Sequence, residues 1–283
     1  MTLDFLSWQC RKNRSTRRSG LRSIVIMLIH GGLVQLHCMY PIAHPQSTCA
    51  AIAAWRRDMN PLRPQPPDKE TAVSPASLHL YTDSSPNGFK ITIALEELGI
   101  PYVLHHVRID EGEHRQPDFL QLHPHGRIPV LVDDATGITV FESAAILLYL
   151  AEQSGRLLPD APRARWEAIT WLMFHSASVG PILGQRVHFE KFAEERYAPA
   201  IERYRRLSAE FFATLDQRLA DRPWLAGEAY SIADIAGYGW THIATLIDFD
   251  FSAYPHLSAW HARMSQRPAV QRGVLLPEPA TGP

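Results

Sequence analysis

The sequence predicts a small α/β domain of order βαβαββα followed by an all-helical bundle. Three observations carry this. From Leu78 onward, short strand-like runs alternate with helical periodicities as far as about Pro159. Beyond that point only helical patterns with wide apolar faces recur. The 283 residues, 46% apolar and 20% charged, suit two modest domains with packed cores.

Leu78-His79-Leu80-Tyr81 alternates as a strand does, and Ser84-Ser85-Pro86-Asn87-Gly88 after it is turn and helix-start chemistry. Ile91, Ala94, Leu95 and Leu98 recur at helical spacing until Gly99 stops them. Tyr102 to Val107 reads as a second strand, and the right-handed crossover makes the two strands parallel neighbours. A short helix is expected over Arg115 to Leu122. Ile128 to Val132 and Ile138 to Phe141 form two strands, joined by a hairpin loop from Asp133 to Gly137. Glu142 to Gln153 is a helix that buries Ala145, Ile146, Leu148, Tyr149 and Leu150. In the second domain, helices are expected over Trp166 to Phe174, Ile201 to Leu219, Ile232 to Ile247 and Leu257 to Met264. Ser231-Ile232-Ala233-Asp234 is an N-capping box with Asp234 in place of the usual Glu or Gln, flanked by Tyr230 and Ile235 at the staple positions; its role is structural. The chain divides into an extension and linker (1–77), an α/β domain (78–160), a helical domain (161–276) and a tail (277–283).

A net charge of -1 gives no general reason to expect nucleic acid or an anionic membrane as partner. The total hides an asymmetry. Residues 1–58 hold eight Lys and Arg against Asp4 and Asp58, a charge of +6, which leaves the remainder at -7. Cys10, Cys38 and Cys49, the only cysteines, lie in the same segment, so the globular part has neither a disulfide framework nor a cysteine nucleophile. Within it, Ile24 to Leu36 is an apolar run too short to span a bilayer. Basic then apolar is the order of a signal peptide, and Ala50-Ala51 would sit near its cleavage site. A disordered basic tail and a start codon placed upstream of a true initiator at Met59 are the competing readings, and a cytoplasmic protein is expected. Residues 60–77 are Pro-rich and read as a linker. His123 and His125 flank a proline without further ligands at metal-binding spacing, and phosphate-cradling glycine loops are absent, so no metal is expected.

Asn87-Gly88-x-Lys90, Arg127-Ile128-Pro129 and Phe141-Glu142-Ser143-x-Ala145-Ile146-Leu147 together resemble the glutathione site of the glutathione S-transferase family. Ser85-Pro86-Asn87-Gly88 and Gly180-Pro181-x-x-Gly184-Gln185-x-x-His188-Phe189 resemble its bacterial nu class, and the match runs from Leu78 to about Leu275. The resemblance implies a thioredoxin-like first domain, glutathione as the bound reactant, and a homodimer.

Ser143, where a strand gives way to a helix, offers amides, a positive dipole end and a hydroxyl to the γ-glutamyl carboxylate; a plain N-cap is its bland reading. Glu142 is expected to accept from the ligand ammonium. By resemblance the Ile128–Pro129 bond is cis and lays the Ile128 backbone beside the cysteinyl residue. Arg127 and His125 are expected to meet the glycyl carboxylate, and His114 stands where the class leads one to expect a glutamine. Ser85, Asn87 and the first amides of the helix are assigned to thiolate stabilisation, because donors to sulfur lower a pKa that is otherwise about 8.5. Their bland reading is turn and cap, and Tyr81 is the alternative hydroxyl. By resemblance Arg203 reaches glutathione held by the partner subunit; a solvated helix arginine is the other reading. His175, His188, Trp171, Phe174, Phe189 and Trp240 are candidates to line a second-substrate cleft. The leading activity is a glutathione-dependent disulfide-bond oxidoreductase. A conjugating transferase and a non-catalytic glutathione-binding regulator are the rivals.

Overall fold

The computed structural model describes residues 77–244 and 249–277, together with the backbone of two strands near the N-terminus. The chain divides into two compact units, Met1–Glu70 and Thr71–Pro283. In the first, β1 (Ile24–Ile29) and β2 (Gly32–His37) pair antiparallel, with Ile24 opposite His37 and Ile29 opposite Gly32. The described parts of the signal-like apolar run lie in these two strands. The other expectations for residues 1–77 lie outside the described residues.

The second unit opens with β3 (Leu78–Thr82), α1 (Pro86–Leu98), β4 (Val103–His106), α2 (Pro117–Leu122), β5 (Val130–Asp133), β6 (Ile138–Phe141) and α3 (Ser143–Ser154). Its sheet has the order β4-β3-β5-β6: β3 and β4 are parallel, as the crossover requires, and the other pairs are antiparallel. This is the expected thioredoxin-like βαβαββα domain. Along β3 the pleat turns Leu78, Leu80 and Thr82 into the interior. Tyr81, on the other face, packs with Val107, Phe119 and Val130.

Ser85 caps α1, its Oγ accepting from the Gly88 amide at 3.1 Å, and Pro86 follows at the position where a missing N–H costs least. Gly99 ends the helix with φ 65° and donates its amide to the Leu95 carbonyl. The helix thus begins a turn and a half before its first periodic apolar residue. Gly88 is needed for space, since a Cβ there would collide with the Asp83 carbonyl oxygen.

The helical domain that follows comprises α4 (Pro162–Phe174), α5 (Gly180–Val187), α6 (Ala198–Leu219), α7 (Ile232–Ala244), α8 (Pro255–Ser265) and α9 (Pro268–Gly273). The expected helix to Ile247 is described as far as Ala244. Helices α5 and α9 were not anticipated. A π-turn over His175–Val179 joins α4 to α5, and a second, His188–Phe192, follows α5. Pro181 has no N–H to give the preceding turn, and the wider turn just before it absorbs that break.

One core runs through both domains, from Leu80, Ile91 and Leu147 to Leu172, Phe212 and Trp260. Helix α1 lies inside it. A Cβ on Gly239 of α7 would stand 2.5 Å from the Pro86 carbonyl oxygen, and one on Gly273 of α9 would stand 2.7 Å from the Ile93 backbone. Thr92 Oγ1 adds a 2.7 Å hydrogen bond to the Gly273 carbonyl. Both contacts need glycine. Among the described residues no helix is long and apolar enough to cross a membrane.

The Ser231 box forms at the head of α7. Asp234 is fully buried and accepts from the Ser231 amide (3.0 Å), the Leu225 amide (2.9 Å), the Trp260 indole (2.9 Å) and the Ser231 hydroxyl (3.3 Å). The Ser231 hydroxyl accepts in turn from Ala233. Burial pushes the Asp234 carboxyl up to about 6 against the opposing pull of those donors. Replacing Asp234 by Ala strands three buried N–H groups, and chemical denaturation should read a loss of about 3 kcal/mol; a loss below about 1 kcal/mol would show that they find other acceptors.

Candidate functional site

A cleft of about 920 Å³ opens where the N-terminus of α1, the segment before β5 and the N-terminus of α3 face α5 and α7. Ser85, Asn87, Lys90, His114, His123, Arg127, Ile128, Glu142 and Ser143 form one side; Ser176, Pro181, Gln185 and Trp240 form the other. Such a volume suits a peptide-sized ligand.

Two donors mark its first end. The Asn87 side-chain oxygen accepts from Lys90 Nζ at 2.8 Å and from the Trp240 indole N–H at 3.1 Å. An indole can only donate, so this contact dictates which way the amide faces and leaves its NH₂ to the cleft. Ser85 is similar: its oxygen accepts from Gly88, and its hydroxyl proton stays available to a ligand. Both donors sit at the positive end of α1.

The second end is the head of α3. Glu142, not Ser143, holds the cap position, and its side chain makes no capping bond. The first amides of α3 therefore lack a side-chain cap and suit an anion. Glu142 has φ 71°, a conformation that costs a non-glycine residue about 1–3 kcal/mol. It places both Glu142 and Ser143 in the cleft wall. Ser143 Oγ accepts from Lys90 Nζ at 3.1 Å, so Ser143 too can donate outward.

Lys90 is 3% exposed, and burial brings its ammonium down to about 7, with the Glu142 charge opposing. His175, equally buried, has no hydrogen-bond partner for either ring nitrogen among the described residues. Burial first, and the Lys90 charge second, hold it well below the usual histidine range. His123 is also lowered by burial; its Nδ1 accepts from the His125 amide.

Between the two ends, the Ile128–Pro129 bond is cis, and Ile128 lies in the cleft wall just outside the β5 ladder. Arg127 and His114 are lining residues as expected. His125 is not: it is exposed and its carbonyl accepts from Arg115, while His123, set aside in the sequence, lines the cleft. Tyr81 stacks on His105 at 4.3 Å, away from the cleft. Arg203 is exposed on α6 and does not line the cleft. Of the six second-substrate candidates only Trp240 lines it. Trp171 packs on Phe174, and Phe189 packs between His188 and Tyr204.

The comparisons with known proteins follow the same outline. Residues 84–153 match the glutathione S-transferase N-terminal domain and residues 168–268 the C-terminal domain. The chain belongs to the glutathione S-transferase family. It is similar to two Escherichia coli proteins, the disulfide-bond oxidoreductases YfcG (39% identical, covering 70% of this chain and 94% of YfcG) and YghU (35%, 74% and 78%). It also resembles two solved glutathione transferases. One, from Pseudomonas fluorescens with two glutathiones bound, is 37% identical with TM-score 0.67, covering 73% of this chain and 96% of that one. The other, from Pseudomonas putida with one glutathione disulfide per subunit, is 36% identical with TM-score 0.67, covering 75% and 94%. An enzyme of glutathione transferase type is the consequence.

Sequence reasoning placed Lys90 in a site motif without assigning it a role, and missed the way Trp240 enters the site. Gly180 and Gly184, one turn apart on α5, face that indole: a Cβ on either would lie 3.1 or 3.0 Å from its atoms. The paired glycines were the available signal, since two absent side chains one turn apart leave room for a bulky neighbour.

Lys90 supplies a pH test. Its folded pKa lies below the unfolded value of about 10.4, so its burial penalty is felt in full below about 7 and is relieved as pH rises toward 10. Lys90→Met removes the penalty. Its stability relative to the native chain should be highest near pH 6 and decline by pH 10 in denaturant titrations; a difference that does not move with pH would place the ammonium in solvent.

Proposed function

We propose that this protein is a nu-class-like, glutathione-dependent disulfide-bond oxidoreductase. The observation that carries the reading is a cleft with fixed hydrogen-bond donors at each end, in a globular part without cysteine. The reacting sulfur must then come from the ligand. In this reading the γ-glutamyl carboxylate rests on Ser143 and the open amides of α3, Glu142 accepts from the ammonium, and the Ile128 backbone pairs with the cysteinyl residue. Arg127, and His123 in place of His125, face the glycyl end, with His114 nearby. Asn87 and Ser85 donate to the sulfur and favour its thiolate.

That thiolate attacks a disulfide sulfur and expels one thiol; a second glutathione thiolate resolves the mixed disulfide and expels the other. The balance is two glutathiones and one disulfide in, glutathione disulfide and two thiols out. The chain contributes orientation and charge stabilisation. Both curated Escherichia coli relatives are named for disulfide-bond chemistry, and the Pseudomonas putida structure holds glutathione disulfide. A homodimer with Arg203 facing the partner's ligand, and a cytoplasmic location, complete the proposal.

One feature favours a second reading. Pro181, Gly180, Gly184 and the Trp240 ring give the opposite wall an apolar character that suits a carbon electrophile, as in a conjugating transferase. Glutathione reductase-coupled turnover of a small disulfide should exceed conjugation of a nitroaryl halide, and the reverse ranking would favour conjugation. Asn87→Ala should lower kcat roughly tenfold or more while glutathione affinity changes less; an unchanged kcat would remove its role. Calorimetry on Ser143→Ala should show the opposite pattern, a loss of affinity by roughly fivefold.

A further inference from the structure

We propose that Lys90 is a positioning residue whose buried ammonium holds Asn87 and Ser143 in one frame, so that the sulfur contact and the γ-glutamyl anchor are set by a single atom. The inference rests on the glutathione reading above and adds to it a residue to which that reading gives no role.

The geometry is specific. Lys90 lies one helical turn after Asn87 on α1, which brings its Nζ under the Asn87 amide at 2.8 Å. The same Nζ reaches Ser143, at the head of a different helix, at 3.1 Å. Each partner presents an oxygen to the ammonium, and each is thereby left with its own N–H or O–H toward the cleft. A change at Nζ therefore reaches both ends of the ligand.

The ammonium is also closely packed. A lysine ordinarily extends its stem over apolar surface and keeps its head in water. Lys90 is 3% exposed instead, threaded between α1 and α7 where a Cβ on Gly239 would come within 2.9 Å of its Cγ. Burying a cation is costly unless it is well partnered, so an apolar side chain would serve packing better. The charged and titratable groups that face it are Glu142, at the head of α3, and His175, in the π-turn before α5. Glu142 favours the charged ammonium. His175 stays neutral beside it, because burial depresses its pKa.

The test uses the full chain and two probes. S-methylglutathione has no ionisable sulfur and reports the anchor by calorimetry; reduced glutathione reports the sulfur contact through the ultraviolet absorbance of its bound thiolate. Lys90→Met, which keeps the apolar stem, should weaken S-methylglutathione by at least about threefold and raise the bound thiol pKa by at least about half a unit. Adding Asn87→Ala or Ser143→Ala to Lys90→Met should then cost less than either costs alone, with at least about threefold coupling in each cycle. Changes confined to one probe, or additive effects in both cycles, would overturn the proposal. If Lys90→Met does not fold by circular dichroism, the Asn87→Ala/Ser143→Ala cycle in the native background decides: coupling of at least about threefold in kcat/KM supports a shared frame, and additivity overturns it. A native chain that takes up neither probe defeats the glutathione reading and this inference with it. Uptake with additive cycles defeats this inference alone.

Discussion

The burial of one ammonium organises the cleft. A charged lysine cannot remain beneath a protein surface unless oxygen atoms surround it, and Asn87 and Ser143 supply them from two different helices. Space for its stem must come from the opposing helix, and Gly239 provides it. The indole of Trp240 then completes the partners of Asn87, and Gly180 and Gly184 make room for the indole. A chain of contacts thus runs from the α/β domain through α7 into α5. The helical domain is part of the site and not merely a support for it.

That chain explains what the sequence made legible and what it did not. The α/β order, the parallel β3–β4 pair and the capping box are local signals: alternation, helical spacing, a glycine stop, a serine before an acid. They survive in the structure because tertiary packing agrees with them. Helix α5 did not announce itself, because Gly180, Pro181 and Gly184 are poor helix formers and packing around Trp240 outweighs their propensity. Lys90 stands in the Asn87-Gly88-x-Lys90 motif, but its role was illegible for a different reason: its burial depends on a glycine 149 positions later in the sequence.

The candidate site shows the same division. Ser85, Asn87, Ile128, Glu142 and Ser143 sit at strand–helix junctions or beside a proline, where local chemistry points to them, and all five line the cleft. His125 and His123 are two residues apart, and nothing local distinguishes them; the fold does, burying His123 against Phe141 and leaving His125 outside. Trp240 apart, the aromatic candidates of the bundle lie outside the cleft, since large rings at helical spacing usually serve the core. Ser143 shifted from cap to first helical residue, which leaves its hydroxyl unused by its own helix.

The clasp around α1 bears on the order in which a nascent chain can acquire this architecture. The helix that carries Asn87 and Lys90 leaves the ribosome well before Gly239 and Gly273, which close over it and follow Lys90 by 149 and 183 residues. Until they arrive, Lys90 stays hydrated and Asn87 lacks its indole partner. Ligand recognition is thereby postponed until the helical domain has been made and has packed on α1.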